Sequence, residues 1–248
     1  MKSWIHWCIR YSNVSDTLVY RKPTQEEFSL ETTALADDLP AESARRRKTR
    51  SRLLDAAFQI FADHGVHAAS VELITEAAGF TRGAFYSNFS SKEELFFALM
   101  EREKSIRIEQ LIAGVEQFLK PLAATGETVG DAQVVQIITK VLELQSDDRR
   151  WWLVQSEFQL LAMRDPSIAG DFLRFQDGFM RELTDIVVDA LAFASRRFII
   201  APEEAVRVIT ELCANAEARA VLAGDERRFS ERLSSSVPAV LLALTETV

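Results

Sequence analysis

The stretch from Ser70 to Phe89, SVELITEAAGFTRGAFYSNF, constrains the fold of this chain more than any other. Its pattern predicts a helix, a tight turn and a second short helix. Ser70 is a favourable N-cap for the first helix, and Glu72 lies in the first turn, where the helix dipole favours an acid. Gly79 can adopt the left-handed conformation that often ends a helix, and Thr81 can cap the second helix.

The two predicted helices distribute their apolar side chains differently. The first has apolar residues at helical spacing, which predicts one buried face. These residues are Val71, Leu73, Ile74, Ala77 and Ala78. On the second helix the residues expected to point inward are Ala84, Phe85 and Phe89, and those left outward are Thr81, Arg82, Gly83, Tyr86 and Ser87. An exposed guanidinium, hydroxyls, a phenol and a glycine suit close approach to a DNA groove, since glycine has no side chain to hold the backbone away.

The segment from Arg46 to Glu94 resembles the DNA-binding domain of the tetracycline-repressor (TetR) family. The resemblance rests on three pieces in the family's order and spacing, RRKTRSRLLDAAFQIFADHG, HAASVELITEAAGFTRGAFYSNF and SSKEELF. It covers about fifty residues, which makes it far more specific than a lone helix-turn-helix pattern. The remainder of the chain resembles the family only in being helical and of suitable length.

The resemblance implies an all-α fold, in which a three-helix head with a helix-turn-helix binds DNA and a larger helical body binds ligand and dimerises. It also implies a transcriptional regulator that binds a palindromic operator in double-stranded DNA as a homodimer. Most such proteins repress and are released by a small-molecule effector, although an activator uses the same head. No cofactor and no catalytic chemistry are expected. A helical adaptor protein and an enzyme remain the less favoured alternatives.

The charge distribution supports a nucleic-acid partner for one end only. From Ala44 to Lys92 there are eight Lys or Arg against four Asp or Glu, a net of +4, which leaves −12 for the rest of a chain whose total is −8. A basic head on an acidic body is expected when only one end meets phosphate. The run ARRRKTR places Arg46, Arg47 and Lys48 where phosphate contacts are expected.

The candidate DNA-contacting residues come from this head. They are Arg46, Arg47, Lys48, Ser70, Thr81, Arg82, Gly83, Tyr86, Ser87 and Lys92. Arg82 is the candidate for reading bases, because arginine can pair two donors with guanine, and a phosphate contact is its alternative. In SSKEEL, Ser91 with Glu94, or Ser90 with Glu93, makes a capping box, and Lys92 lies in the first turn of the helix that it opens. A cation in the first turn of a helix is unfavourable unless it meets an anion, and the resemblance implies that a DNA phosphate is that anion.

Three segments follow from these patterns. Residues 1–43 are expected to be a disordered N-terminal extension, 44–92 the DNA-binding domain, and 93–248 the ligand-binding and dimerisation domain. Cys8 and Cys213 suggest neither a disulfide nor a metal site, and they fit a reducing cytoplasm. No apolar run approaches the length of a membrane span, so no membrane partner is expected.

The last two long helices are predicted to form the dimer interface. Their apolar positions exceed what one buried helical face needs. These positions are Val206, Ile209, Leu212, Ala216 and Leu222 in one helix, and Val240, Leu241 and Leu244 in the other. The alternative is that they face the core of the monomer.

Two aromatic stripes in the body are the basis of the effector hypothesis. We expect a cavity between the two helices that carry them, binding an apolar or aromatic molecule, because ligand pockets between helices are mostly apolar. The residues expected to contact that molecule are Trp151, Gln155, Phe158, Phe172, Phe175 and Phe179. The alternative is that the stripes are ordinary core, as such stripes usually are.

Overall fold

The computed structural model describes residues 41–119, 129–144 and 149–248. The chain divides into two compact units, Met1–Arg45 and Arg46–Val248, and the second contains nearly all the described residues. The predicted extension over residues 1–43 lies outside the described residues except for 41–43, which already belong to the first helix. The sequence also predicts that Asp147 or Asp148 caps a body helix, and both residues lie outside the described ones.

The described residues form ten α-helices, one π-helical segment and two short strands. In chain order they are α1 (Ala41–Ala68), α2 (Val71–Ala78), α3 (Arg82–Tyr86), α4 (Lys92–Gly114), the π-helical segment (Val115–Leu119), α5 (Asp131–Leu144), α6 (Arg149–Arg164), α7 (Pro166–Phe193), β1 (Arg196–Phe198), α8 (Pro202–Ala223), α9 (Phe229–Leu233), α10 (Ser236–Ala243) and β2 (Thr245–Thr247). The all-α prediction is therefore confirmed.

Local signals explain where several of these helices begin and end. The sequence predicts that Gly65 ends the first helix as a C-cap; in the structure Gly65 has a φ of 76° and interrupts α1, which continues to Ala68. Asp165 caps α7 by accepting a hydrogen bond from the Ser167 amide at 2.9 Å, and Pro166 follows at the first helical position. Gly224 ends α8 in the left-handed conformation with a φ of 64°.

One continuous core extends from the head into the body. The ring of Phe96 on α4 packs edge-on against Phe61 of α1, with 5.2 Å between centroids, and against Phe158 of α6 at 4.9 Å. Phe158 in turn packs against Phe172 of α7 at 4.8 Å. Head and body thus share a hydrophobic core inside the single unit Arg46–Val248, and the division at residues 92 and 93 stays a prediction.

The sequence led us to expect a carboxyl-terminal part that is helical throughout, but the structure contains two short strands there. Strands β1 and β2 pair antiparallel, with Phe198 opposite Thr245. The buried Arg196 joins three elements, because its guanidinium donates to the Thr245 hydroxyl at 3.1 Å and to the Asp131 carboxylate of α5 at 2.7 Å. The paired residues of the two strands are 47 to 51 positions apart in the sequence, so no local period reveals the pairing.

Most of the apolar positions predicted at a dimer interface are buried or half-buried against other elements of the chain itself. Val206 is 2% exposed, and Ile209, Leu212 and Ala216 pack on a core cluster formed by α5, α9 and α10. Leu241 packs on a neighbouring cluster, and Val240 and Leu244 are half-buried. Of the eight residues, Leu222 alone is largely exposed, at 88%. Val206 therefore does not fit the expected interface, because the short helices α9 and α10 fold back onto α8. The interface at the other positions and the homodimer stay predictions.

Candidate nucleic-acid interface

Side-chain caps fix the turn between α2 and α3. The Ser70 hydroxyl accepts a hydrogen bond from the Leu73 amide at 3.1 Å, and the Thr81 hydroxyl accepts one from the Ala84 amide at 3.3 Å. Gly79 ends α2 with a φ of 69°, a conformation that favours glycine. These three features agree with the sequence analysis, and they set the direction of α3 relative to α2.

The buried side of the two helices differs slightly from the expected one. Ile74, Ala78, Phe85 and Phe89 are buried as predicted. Leu73 and Ala77 are exposed instead, and Thr75 occupies the buried position beside Ile74. The Thr75 hydroxyl donates to the Glu72 carbonyl at 3.0 Å, which satisfies its polar group inside the helix.

The outward side of α3 is the predicted one. The five residues expected on this surface are all exposed, namely Thr81, Arg82, Gly83, Tyr86 and Ser87. We call them the α3 face. A Cβ built on Gly83 would meet only the Thr81 hydroxyl, at 3.7 Å, so packing within the chain does not require a glycine there. The α3 face therefore offers a small exposed surface that a partner's backbone could approach closely.

Arg82 does not extend freely from the α3 face. Its Nη1 lies 2.6 Å from Oε1 of Glu72 on α2, and its Nη2 donates to the Tyr86 hydroxyl at 3.5 Å. The guanidinium carbon lies 5.8 Å from the centre of the Tyr86 ring. The hydrogen bond with Tyr86 and the charge of Glu72 both raise the pKa of Arg82, so its positive charge is secure. Sequence reasoning did not single out Glu72 as a partner of Arg82, because the pair spans the turn between two helices.

Lys92 has partners inside the protein. Its ammonium donates to the carbonyl oxygens of Val66 at 2.8 Å and Ala69 at 3.1 Å, at the end of α1. The premise that this cation needs an external anion is therefore wrong, since carbonyl oxygens at a helix carboxyl end carry partial negative charge. A phosphate contact through the third ammonium hydrogen stays a prediction.

The capping box before α4 takes a variant form. The Ser91 hydroxyl accepts from the Glu94 amide at 3.1 Å, as predicted. The Glu94 carboxylate accepts from both the amide and the hydroxyl of Ser90, each at 2.7 Å, and these bonds lower the pKa of Glu94. The loop between α3 and α4 is thus held by hydrogen bonds on both sides, which fixes Lys92 relative to the α3 face.

The basic start of α1 includes three exposed residues and one that packs against the end of α3. Arg46, Arg47 and Lys48 are exposed. Arg50, from the same run, donates to the Asn88 carbonyl at 2.8 Å and covers the Phe89 ring at 4.0 Å. Arg50 thus stabilises the end of α3, a role that the charge run alone does not reveal.

The aromatic stripes of α6 and α7 do not surround a cavity in the way we expected. Phe158 is fully buried, and its ring packs on Phe96, Phe97, Phe172 and Phe175 at centroid distances of 4.8–5.9 Å. Trp151 is covered by the Arg107 guanidinium at 4.0 Å. The stripes fill the space between the body and α4, because edge-on ring packing excludes a gap there.

An apolar cavity of about 180 Å³ lies elsewhere in the body. Its walls are the π-helical segment, α5, α7, α8 and α10, and all its side chains are aliphatic except that of Thr210. None of the six residues predicted to contact the effector lines this cavity. These residues are Trp151, Gln155, Phe158, Phe172, Phe175 and Phe179. Leu183, which lies one turn after Phe179 on α7, does line it. Sequence reasoning missed this cavity because its walls come from five separate elements.

Two classes of site find no support in the described part of the chain. No three His, Cys, Asp or Glu side chains there form a group that could hold a metal ion. None of the helices in those ranges combines the length and the apolar character that crossing a bilayer requires.

Comparison with known proteins relates the amino-terminal half to regulators. The family described as bacterial regulatory proteins, tetR family, matches residues 53–99. The chain is 39% identical over 75 residues to the HTH-type transcriptional activator FasR of Mycolicibacterium smegmatis, which covers 30% of this chain and 32% of FasR. It is 33% identical over 106 residues to the HTH-type transcriptional repressor AcnR of Corynebacterium diphtheriae, which covers 42% of this chain and 55% of AcnR. The chain thus spans between a third and just over half of these relatives.

The fold of more than three-quarters of the chain also has solved counterparts. The fatty acid degradation regulator FadR from Bacillus halodurans superimposes with a TM-score of 0.61 at 18% identity, over 78% of this chain and 94% of FadR. At that identity the likeness concerns the fold alone.

Proposed function

We propose that this chain, whose residues 53–99 belong to the tetR family of bacterial regulatory proteins, is a DNA-binding transcriptional regulator. The observation that carries the proposal is the α3 face. Its five residues are all exposed, and they lie on a short helix whose direction is fixed by the Thr81 cap and by the buried Phe85. A helix held in this way can enter the major groove of DNA without rearranging.

The roles of the head residues follow from their chemistry. Arg82 reads a base edge, because a guanidinium can donate two hydrogen bonds to guanine. Tyr86, Lys92 and the α1 residues Arg46, Arg47 and Lys48 contact phosphates, which position the protein without reading sequence. Thr81 and Ser87 lie beside Arg82 on the α3 face, and Ser70 lies at the start of α2. No catalytic role is proposed for this chain.

The protein acts as a homodimer on a palindromic operator. A helix of five residues reads only a few base pairs, so one head alone gives modest affinity. Two heads about 34–36 Å apart, or a multiple of that distance, would meet successive major grooves. The interface is expected to include the exposed side of α8, where Leu222 and Val208 are exposed at 88% and 48%.

A small apolar effector releases the regulator from its operator. The aliphatic cavity supports this part of the proposal, since apolar cavities of about 150 Å³ bind molecules of roughly benzene size. Val115 and Leu119 of the π-helical segment line it, and that segment ends the helix that begins at Lys92 beside the α3 face. A ligand there therefore contacts the far end of the element that joins head and body. It can lower operator affinity only by preferring the non-binding arrangement.

The test of DNA binding uses a duplex selected from a randomised pool by the wild-type protein and a random duplex of equal length. Fluorescence anisotropy over a salt series should show tight, steeply salt-dependent binding to the selected duplex. Arg82→Ala should lose roughly 1–3 kcal/mol on the selected duplex and little on the random one. Arg174→Ala is the control, because Arg174 is also exposed and ion-paired, with Asp171, but lies on α7 of the body.

Two results would contradict the proposal. A wild-type protein that selects no sequence, or binds with no salt dependence, would point to an adaptor or an enzyme instead. Equal losses for Arg82→Ala on both duplexes would leave DNA binding in place but remove the base-reading role.

The effector proposal has a separate test. Small alkanols and substituted benzenes are titrated into the complex with the selected duplex, and release is followed by anisotropy. Ala190→Leu should weaken the response because Ala190 lines the cavity, whereas Ala192→Leu, on the exposed side of α7, should not. An equal response from both variants would rule out this cavity as the effector site.

A further inference from the structure

Glu72 is an acid in a surface that otherwise suits DNA. It lies in the first turn of α2, with 55% of its side chain exposed, and its Oε1 is 2.6 Å from Nη1 of Arg82. Wherever Arg82 approaches a DNA groove, this carboxylate comes within a Debye length of the phosphates, about 8 Å at physiological ionic strength. Its charge therefore opposes DNA binding of any sequence.

Folding does not require this ion pair. Both side chains are more than half exposed, and exposed pairs contribute little to stability. The start of α2 is already capped by the Ser70 hydroxyl, and Thr75 uses the Glu72 carbonyl rather than its carboxylate. The carboxylate thus has one described partner of consequence, the Arg82 guanidinium on the neighbouring helix.

The pair restricts the direction of Arg82. Glu72 holds Nη1 from the α2 side, and the Tyr86 hydroxyl lies 3.5 Å from Nη2 on the α3 side. A guanidinium has five N–H groups, so three stay available when two are engaged. Two parallel donors are enough for the bidentate contact with guanine. An arginine held in this way loses less side-chain freedom when it binds a base.

We propose that Glu72 is a specificity-determining residue for DNA recognition: its carboxylate orients Arg82 towards one base edge, and its charge restrains sequence-independent binding. The proposal rests on the DNA-binding function proposed above. It predicts that one substitution raises the affinity for random DNA and lowers the discrimination between two DNA sequences. Removing the charge should strengthen binding to random DNA while weakening the discrimination between selected and random DNA.

The experiment compares Glu72→Gln with Glu76→Gln in the full chain. Glu76 lies one turn further along α2, is also exposed, and has no ion-pair partner among the residues that the structure describes. Both substitutions remove one negative charge from the same helix, but only the first releases Arg82. Binding to the selected and the random duplex is measured by anisotropy, and folding is checked by thermal denaturation.

Glu72→Gln should reduce discrimination about two- to fivefold, the range expected for an exposed pair, and should bind random DNA more tightly than wild type. Glu76→Gln should leave discrimination unchanged. In an Arg82→Ala background, Glu72→Gln should no longer alter discrimination, because the group that it orients is gone. The melting temperature of the Glu72→Gln variant should match that of the wild type.

Each alternative result has a distinct meaning. An unchanged discrimination ratio for Glu72→Gln, with wild-type protein that does select a sequence, would overturn the proposal and leave DNA binding intact. Equal strengthening on both duplexes is one form of that result: it would overturn the specificity role and show that Glu72 acts only as a repulsive charge. Full additivity with Arg82→Ala would also overturn the orienting role. A wild-type protein that binds no DNA would overturn this proposal together with the function on which it rests.

Discussion

The α3 face and the aliphatic cavity are both candidate binding sites, but they are built by opposite means. The α3 face depends on contacts within the 20 residues from Ser70 to Phe89, chiefly the hydroxyl caps at Ser70 and Thr81. The cavity depends on helices spread from Val115 to Leu241, and its walls are almost entirely aliphatic. The first site displays polar groups on a fixed short helix, and the second is a space that five elements leave between them.

This difference matters because the two sites should respond differently to mutation. A single polar group on a surface can be removed, which changes the affinity for a partner but has little effect on folding. Apolar side chains between helices support the fold and the cavity at once, so their removal changes both. The aromatic cluster around Phe158 packs against α4, the helix that begins next to the α3 face and is followed by the π-helical segment lining the cavity.

The largest effect on stability is expected in the aromatic cluster around Phe158. Phe158→Ala should lower the free energy of unfolding by about 3–5 kcal/mol, because the ring is fully buried among four other rings. Urea denaturation measures this, with Leu160→Ala as the control, since Leu160 on the same helix is 39% exposed. Similar, small losses for the two variants would show that the stripe is not core and would restore the cavity first expected there.

A smaller loss is expected from the link between α4 and the end of α1. Lys92→Met should lower stability by about 1–3 kcal/mol, because the buried residues Val66 and Ala69 would lose the donor to their carbonyls. Lys48→Met, at an exposed position of α1, should leave stability unchanged. If Lys92 also contacts phosphate, the Lys92→Met variant should bind both the selected and the random DNA more weakly than the wild type, and by the same factor. Unaltered stability would mean that the two carbonyl contacts contribute nothing.

Removing the Thr81 cap tests how much that single hydrogen bond contributes to holding α3 in place. Thr81→Ala should cost about 1 kcal/mol, because the Ala84 amide would lose its acceptor, whereas Thr81→Ser keeps the oxygen and should cost much less. Chemical denaturation of the two variants gives the difference. Identical behaviour of the serine and alanine variants would show that the hydroxyl does not fix α3.

The smallest stability change is expected at Gly83, and it has the opposite sign. Gly83→Ala should raise stability by about 0.4–1 kcal/mol, since a Cβ there meets only the Thr81 hydroxyl at 3.7 Å. Affinity for the selected duplex should nevertheless fall, because the methyl group would separate the α3 backbone from DNA. Gly178→Ala, where a Cβ would meet only the Lys104 amine at 4.0 Å, should leave DNA affinity unchanged. Equal DNA affinity for both variants would remove the case for close backbone approach at Gly83.

The sequence by itself determined the parts of this protein that depend on neighbours along the chain. Ser70, Gly79 and Thr81 predict the helices and the turn between them, and the period of 3.6 residues separates Phe85 from Arg82 and Tyr86. Asp165 with Pro166 and Gly224 likewise predict where α7 begins and α8 ends. Caps and periodic faces act over a few residues, so their physics is contained in the local sequence.

Tertiary structure alone decided which apolar faces meet and which charges pair. The same helical period describes the stripe of Phe158 and the positions from Val206 to Ala216, and it does not say whether such a face meets a ligand, a second chain or its own core. The pairs Glu72–Arg82 and Arg196–Asp131, and the bonds from Lys92 to α1, likewise join separate elements. Hydrophobic burial is non-directional, so the partner of an apolar face is selected by the packing of the whole chain rather than by the face itself.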